Sequence, residues 1–229
     1  MITTFNFYDY HKNPIVQWIM GFYKDIQILT LSDCLSDIMQ LRHSRLSFEK
    51  GKKSFIGDEL RLFYASKSSD FVYVDSDCLV RDIEQLKMDC VCSDDKGMTN
   101  DGSFFRANSE TKWVHHYLEV YETKDVGWNC NYHVHQRYPT DIPTQKLEHD
   151  HFFLNKFARF PKQSVIYYTY NEEVPKTFGK PIWLLSPMYR TSGNITKSFN
   201  ISNNIPEEVF IEQLKYSMQS DNLKIIKIE

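Results

Sequence analysis

The sequence predicts an α/β layered fold with a mostly parallel sheet. Two observations lead there. Short runs rich in β-branched and aromatic residues alternate with amphipathic helical stretches in a βαβα order. The 229 residues, 41% apolar and 25% charged, also carry enough apolar mass for a substantial core, because a chain of this size buries roughly 70% of its unfolded surface. No repeat, low-complexity tract or linker interrupts the pattern, so residues 1–229 are expected to form one domain.

The elements follow in order. Thr3 to Tyr8 reads as a strand, Pro14 to Phe22 as a helix with Ile15, Ile19 and Phe22 on one stripe, and Ile26 to Leu29 as a second strand. Helices are predicted over Asp33 to Leu41 and Lys52 to Ala65, the latter with Phe55, Leu62 and Phe63 on its apolar side. Phe71 to Val74 is a buried strand by its apolar, β-branched and aromatic run. Met88 to Cys92 and Ser103 to Ala107 read as strands. Ser109 is expected to cap a helix reaching about Glu122, with Trp113, Tyr117, Val120 and Tyr121 inward. Gly127 to Thr144 is irregular and aromatic. A helix is predicted over Leu147 to Phe157, a strand over Val165 to Tyr168, a helix opened by Pro206, and a closing strand over Leu223 to Ile228.

Composition excludes several classes. The fractions rule out disorder, collagen-like repeats and coiled coil. With 27 basic and 30 acidic residues the net charge is −3, which gives no global pull toward nucleic acid or anionic lipid. Lys50, Lys52 and Lys53 form a local basic patch. The five cysteines are an odd set without repeated spacing; Cys90 and Cys92 are too close for a zinc knuckle and are expected to be buried thiols. The first residues lack the basic and apolar regions of a signal peptide, and no run approaches the ~18 apolar residues of a membrane span. A cytoplasmic location is expected. His115 and His116 are adjacent on a helix and point apart, so they cannot share an ion; His133 and His135 lack a second ligand pair.

Chemistry concentrates at Phe71-Val72-Tyr73-Val74-Asp75-Ser76-Asp77. A hydrophobic strand ends in two carboxylates, and residues two apart on an extended chain project to one side. In open α/β sheets ligands bind just past the carboxyl ends of strands. Two hard oxygen donors suit Mg²⁺ or Mn²⁺; a solvated acidic turn is the plain alternative. Upstream, Asp58 and Arg61 lie three apart on one helical face, by themselves an exposed ion pair of little energetic worth.

Together these segments resemble the sugar-binding region of DXD glycosyltransferases of the GT-A (Rossmann-like) fold. The likeness is to the retaining group that includes yeast-type mannosyltransferases and clostridial glucosylating toxins. Leu147 to Phe157 is similar to the Asp-Gln-x-x-x-Asn helix of many such enzymes, with Asp150 and Asn155 at the matching positions and His151 in place of Gln. Phe178-Gly179-Lys180-Pro181-Ile182-Trp183 is similar to a signature of glycogenin-like relatives, whose Lys meets the diphosphate; Tyr167 and Tyr168 stand where their metal-ligating His is sought. Gly102 to Ala107 resembles the segment that lines the sugar pocket.

The resemblance implies a metal-dependent transfer from a nucleotide-sugar, with a uridine diphosphate donor, Mn²⁺ or Mg²⁺ as cofactor, and retained anomeric configuration. Asp77 would bind the metal directly. Asp75 would meet it through water and accept from the ribose hydroxyls. Asp58 would accept from sugar hydroxyls, Arg61 would donate to sugar or phosphate, Lys180 would contact the diphosphate, and Phe5, Asn6 and Tyr8 would meet the base. Asp150 would orient the acceptor or stabilise oxocarbenium character. Trp128, Tyr132 and Tyr138 are the expected acceptor wall, and the acceptor is a saccharide, a protein or a modified DNA base.

Two other readings stay open. A haloacid-dehalogenase-type phosphatase also places Asp-x-Asp after an apolar strand, but it expects that strand near the start and Thr or Val where Leu79 stands. A non-catalytic module would keep the sugar or nucleotide site without turnover.

Overall fold

The first strand, β1 (Ile2–Asn6), is almost wholly buried although Thr3, Thr4 and Asn6 are polar, which suits a central position in a sheet. In the computed structural model, which describes residues 1–7, 12–93, 100–123, 142–151, 165–168, 184–185, 205–218 and 224–227, that is where it lies. The chain divides into two compact units, one of residues 1–11 and 22–149, the other of 12–21 and 150–229.

The first unit is built on a six-stranded mixed sheet. Its strands are β1, β2 (Ile26–Thr30), β3 (Phe71–Val74), β5 (Val91–Ser93), β6 (Asn100–Ala107) and β7 (Thr144–Gln145), in the spatial order β2-β1-β3-β6-β5-β7. β1 runs parallel to β2 and β3, and β5 parallel to β7; only β6 opposes its two neighbours. The carboxyl ends of β1, β2 and β3 therefore share one edge of the sheet, and β6 begins at that edge. A further short strand, β4 (Cys78–Val80), follows β3 directly.

Helices α2 (Leu35–Gln40), α3 (Arg42–Glu49), α4 (Lys53–Lys67) and α5 (Lys112–Thr123) supply the apolar cover. Ile38, Ile56, Leu60, Ala65, Val114 and Tyr121 lie in one cluster with Phe5, Phe71, Tyr73 and Phe105 of the sheet. Aromatic rings interlock across it: Tyr73 sits 5.5 Å from both Phe5 and Phe105, and Trp113 meets Phe105 edge-on at 5.5 Å.

α4 is buried far beyond its apolar stripe, for Asp58, Glu59 and Arg61 are all inside. Glu59 has a structural task. α3 follows α2 with no side-chain cap of its own, and Glu59 Oε2 accepts from the Ser44 N–H at 2.7 Å and the Ser44 hydroxyl at 2.8 Å. Burial raises the Glu59 pKa, while these bonds from the start of α3 pull the other way.

In the second unit Asn13 caps α1 (Pro14–Phe22), its Oδ1 accepting from the N–H groups of Ile15 at 3.0 Å and Val16 at 3.2 Å. α6 (Glu207–Met218) buries Phe210 and Leu214. A parallel three-stranded sheet joins β9 (Val165–Tyr168) between β10 (Leu184–Leu185) and β11 (Lys224–Lys227). Among the described residues no helix is long and apolar enough to cross a membrane.

Three expectations change. α5 starts at Lys112 rather than after Ser109, because Thr111 takes the cap position: its carbonyl accepts from Val114 N–H at 3.1 Å. Arg42–Glu49 is an additional helix, held by the cap from Glu59 rather than by a local start signal. His149–His151 is a strand, β8, where a helix was expected; residues 152–157 of that stretch lie outside the described residues.

Arg106 ties the sheet together, its guanidinium making two 2.8 Å bonds to the Asp70 carboxylate ahead of β3. That hydrogen bonding holds the Asp70 pKa below its ordinary value. A depressed carboxyl contributes stability above its unfolded pKa and loses it as pH falls through the folded one. Asp70→Asn should therefore cost about 0.5–1 kcal/mol at about pH 7, discounted for exposure, and almost nothing at about pH 3. Urea denaturation at both pH values checks this; a cost independent of pH would contradict it.

Candidate functional site

The strand β3 ends where its apolar run ends, and the chain turns at once. Cys78 N–H donates to Asp75 O at 3.0 Å, closing a tight turn over Asp75-Ser76-Asp77-Cys78. This corrects the extended-chain expectation: the turn, not the pleat of a strand, brings the two carboxylates near each other. Asp77 is close enough for its charge to act on Asp75. The turn is fixed to β6 by Asp75 N–H donating to Ser103 O at 2.7 Å.

Behind the turn stands Arg61. Its guanidinium donates to Asp58 Oδ1 at 2.9 Å and to the Gly102 carbonyl at 2.7 Å, and lies 3.7 Å from Asp75 Oδ1. Its Cζ is 5.2 Å from the centre of the Tyr73 ring, a cation–π contact. Asp58 is 8% exposed and Arg61 5%, so the pair is buried rather than the surface ion pair that spacing alone allowed. The i,i+3 spacing on α4 sets the pair, and the sheet edge buries it.

Tyr73 completes the arrangement. It lies two residues before Asp75 on β3, and its hydroxyl donates to Asp75 Oδ1 at 2.6 Å. Burial and the adjacent Asp75 charge push the phenol well above its ordinary pKa, so it remains a donor. The Asp75 side chain keeps 35% exposure. Its carboxyl is pushed up to about 6, first by loss of solvation, with Asp77 and Asp58 adding and Arg61 and the Tyr73 bond opposing. A raised carboxyl is one whose ionisation the fold disfavours, so its stability contribution is lost as pH rises through that value. Such a cost at a sheet's carboxyl edge marks a functional candidate.

The other residues singled out in the sequence fall elsewhere. Phe5 packs in the core, stacked on Phe7 at 5.2 Å and 7% exposed, and Asn6 is buried at the end of β1. Tyr8, Lys180, Asn155, Trp128, Tyr132, Tyr138, His133 and His135 lie outside the described residues. Asp150 is in β8, in the second unit. His115 and His116 are both exposed, His115 Nε2 lying 2.6 Å from Ser109 O. Cys34, Cys78, Cys90 and Cys92 are buried thiols outside any disulfide. Among the described residues no three His, Cys, Asp or Glu side chains cluster as a metal site. A cavity of about 470 Å³ lies at the start of α5, lined by Thr111, Trp113, His116 and Ile142, toward the opposite end of the sheet from Asp75.

Two groups at the site escaped the sequence reading, the Tyr73 hydroxyl and the Gly102 carbonyl. The first had a signal, since residues 73 and 75 share a face of the strand. The second had none, because a backbone acceptor 41 residues away leaves no trace in side-chain patterns. No protein-family model matches the chain, and no curated protein matches it significantly.

Removing Arg61 should expose how much rests on it. Arg61→Ala leaves the Asp58 carboxylate and the Gly102 carbonyl uncompensated, at an expected cost of about 3–5 kcal/mol. Pairing Asp58→Leu with Arg61→Met should recover all but about 1 kcal/mol of it. Urea denaturation measures both; a loss under about 1 kcal/mol in Arg61→Ala would contradict a buried pair.

Proposed function

We propose that the chain is a metal-dependent glycosyltransferase with a GT-A fold, moving a sugar from a uridine diphosphate sugar to an acceptor with retention. The acceptor class is a saccharide, a protein or a modified DNA base. One observation carries the reading: the Asp75-Ser76-Asp77 turn stands at the carboxyl end of a central strand with Asp58 and Arg61 directly behind it. Those four residues are the ones on which the sequence resemblance rests, and they come from two separate elements. The carboxyl edge of an open α/β sheet is also where such folds bind ligands.

The donor set fits Mg²⁺ or Mn²⁺. Asp75 and Asp77 offer hard oxygens, which suit an ion that keeps positions for diphosphate and water. Asp77 would hold the ion, with Asp75 reaching it through water. The ion supplies Lewis acidity toward the departing diphosphate.

The chain's own residues do the rest. Arg61 is tied into the wall, so its part is to hold Asp75 and the start of β6 in place while lending positive potential to a site that receives two phosphates. Asp58 keeps the guanidinium oriented. This differs from the direct sugar contacts that the resemblance implied for both. Departure and attack would take place on the same face of the sugar. Phe5, already committed to the core, leaves base recognition to Asn6 and Tyr8.

The test is a panel of nucleotide sugars incubated with the protein with and without Mn²⁺, reading released nucleoside diphosphate. Metal-dependent release from one donor is expected, falling about 100-fold or more in Asp77→Ala. Release of inorganic phosphate from simple phosphoesters instead would overturn the reading in favour of a phosphatase. Silence on every donor would leave a binding module.

A further inference from the structure

The two oxygens of Asp75 stand in different surroundings. Oδ1 takes the Tyr73 hydroxyl at 2.6 Å and faces Arg61 at 3.7 Å. Oδ2 receives no hydrogen bond from the described residues, and the side chain is partly open to solvent. A carboxylate at a turn normally rotates about its last torsion and exchanges its oxygens. Here one oxygen is anchored from two directions.

Both anchors are themselves immobile. The Tyr73 ring is fixed by Phe5 and Phe105 at 5.5 Å, and by the Arg61 guanidinium on its face. Arg61 is fixed by Asp58 and the Gly102 carbonyl. The phenol hydroxyl therefore has one place to reach, and the strand period of two puts Asp75 there. Nothing in packing demands a hydroxyl at this position, since Phe would fill the same volume; the added oxygen has Asp75 as its partner.

We propose that Tyr73 is a positioning residue: its hydroxyl holds Asp75 Oδ1 inward and thereby presents Oδ2 as the one ligand atom that this residue offers to a cation-bound nucleoside diphosphate. The inference rests on the donor-site reading above. It makes Oδ2 the one Asp75 oxygen that reaches the cation, through water, with its aim set before the nucleotide arrives, which reduces the ordering cost of binding. Tyr73 acts through Asp75 and touches no substrate itself.

The experiment is calorimetry of uridine diphosphate binding, with and without saturating Mn²⁺, on wild type, Tyr73→Phe and Asp75→Ala. The readout is the metal-dependent gain, the ratio of the metal-free to the metal-loaded Kd. Asp75→Ala should abolish most of the gain. Tyr73→Phe should cut it about tenfold while leaving the metal-free Kd within about twofold, the effect of one lost hydrogen bond to a charged group. Thermal midpoints within about 4 °C of wild type would verify that both variants fold. A Tyr73→Phe protein that weakens both Kd values together, or neither, overturns the positioning role and leaves the donor site standing. A wild-type protein with no metal-dependent gain overturns the donor site, and this inference with it.

Discussion

The guanidinium of Arg61 is the contact on which the candidate site depends. It is a buried cation, and a buried cation is tolerable only when its donors are matched by acceptors. Here the match comes from three parts of the chain: Asp58 on α4, the Gly102 carbonyl at the start of β6, and Asp75 after β3. Satisfying one arginine thus fixes the relative position of a helix, a strand and a turn. Two of the partners carry negative charge, and Asp77 is near enough for its charge to act on Asp75. The Asp75 carboxyl is raised first by loss of solvation, with Asp77 and Asp58 adding to it. The fold bears a local cost there which a bound cation would relieve.

The same helix works in both directions. On one side Asp58 and Arg61 stabilise the sheet edge, and on another Glu59 accepts from Ser44 to complete the start of α3. A stretch of four residues, Asp58-Glu59-Leu60-Arg61, is therefore buried almost throughout. Glu59 and Arg61 are inside because other elements use their hydrogen bonds, and Asp58 is inside with Arg61. The apolar members, Ile56, Leu60, Leu62 and Ala65, join the aromatic cluster that also clamps Tyr73. Core packing and site geometry are one structure at this point, since the rings that exclude water from the core also aim the phenol at Asp75.

What the sequence disclosed, and what it hid, follows from the range of the forces involved. Pro14–Phe22, Phe71–Val74 and Val165–Tyr168 have the boundaries read from periodicity, because those segments are delimited by their own residues. The alternation of strands and helices led to the α/β class, and the mixed, mostly parallel sheet agrees with it. The misses were non-local. The helix over Arg42–Glu49 has a start capped by a residue of another helix, and His149–His151 is extended where the sequence pattern pointed to a helix. Asp75, Asp77, Asp58 and Arg61 were legible as a set because spacing on a helix and at a strand end constrains them. Their burial, the turn that joins the carboxylates and the part played by Tyr73 needed the sheet register. Phe5 illustrates the converse: an aromatic residue at the end of a first strand resembles a base platform in sequence, yet its ring is spent on the core.

The central claim is that the turn after β3 receives a cation with a nucleoside diphosphate. Paramagnetic broadening by Mn²⁺ reads this most directly. Amide spectra of the labelled protein would be recorded with uridine diphosphate and substoichiometric Mn²⁺. The account predicts that the signals of Asp75, Ser76, Asp77, Gly102 and Ser103 vanish first, while Thr111 and Trp113 at the other end of the sheet persist. Broadening centred elsewhere, or spread evenly over exposed carboxylates, would contradict it.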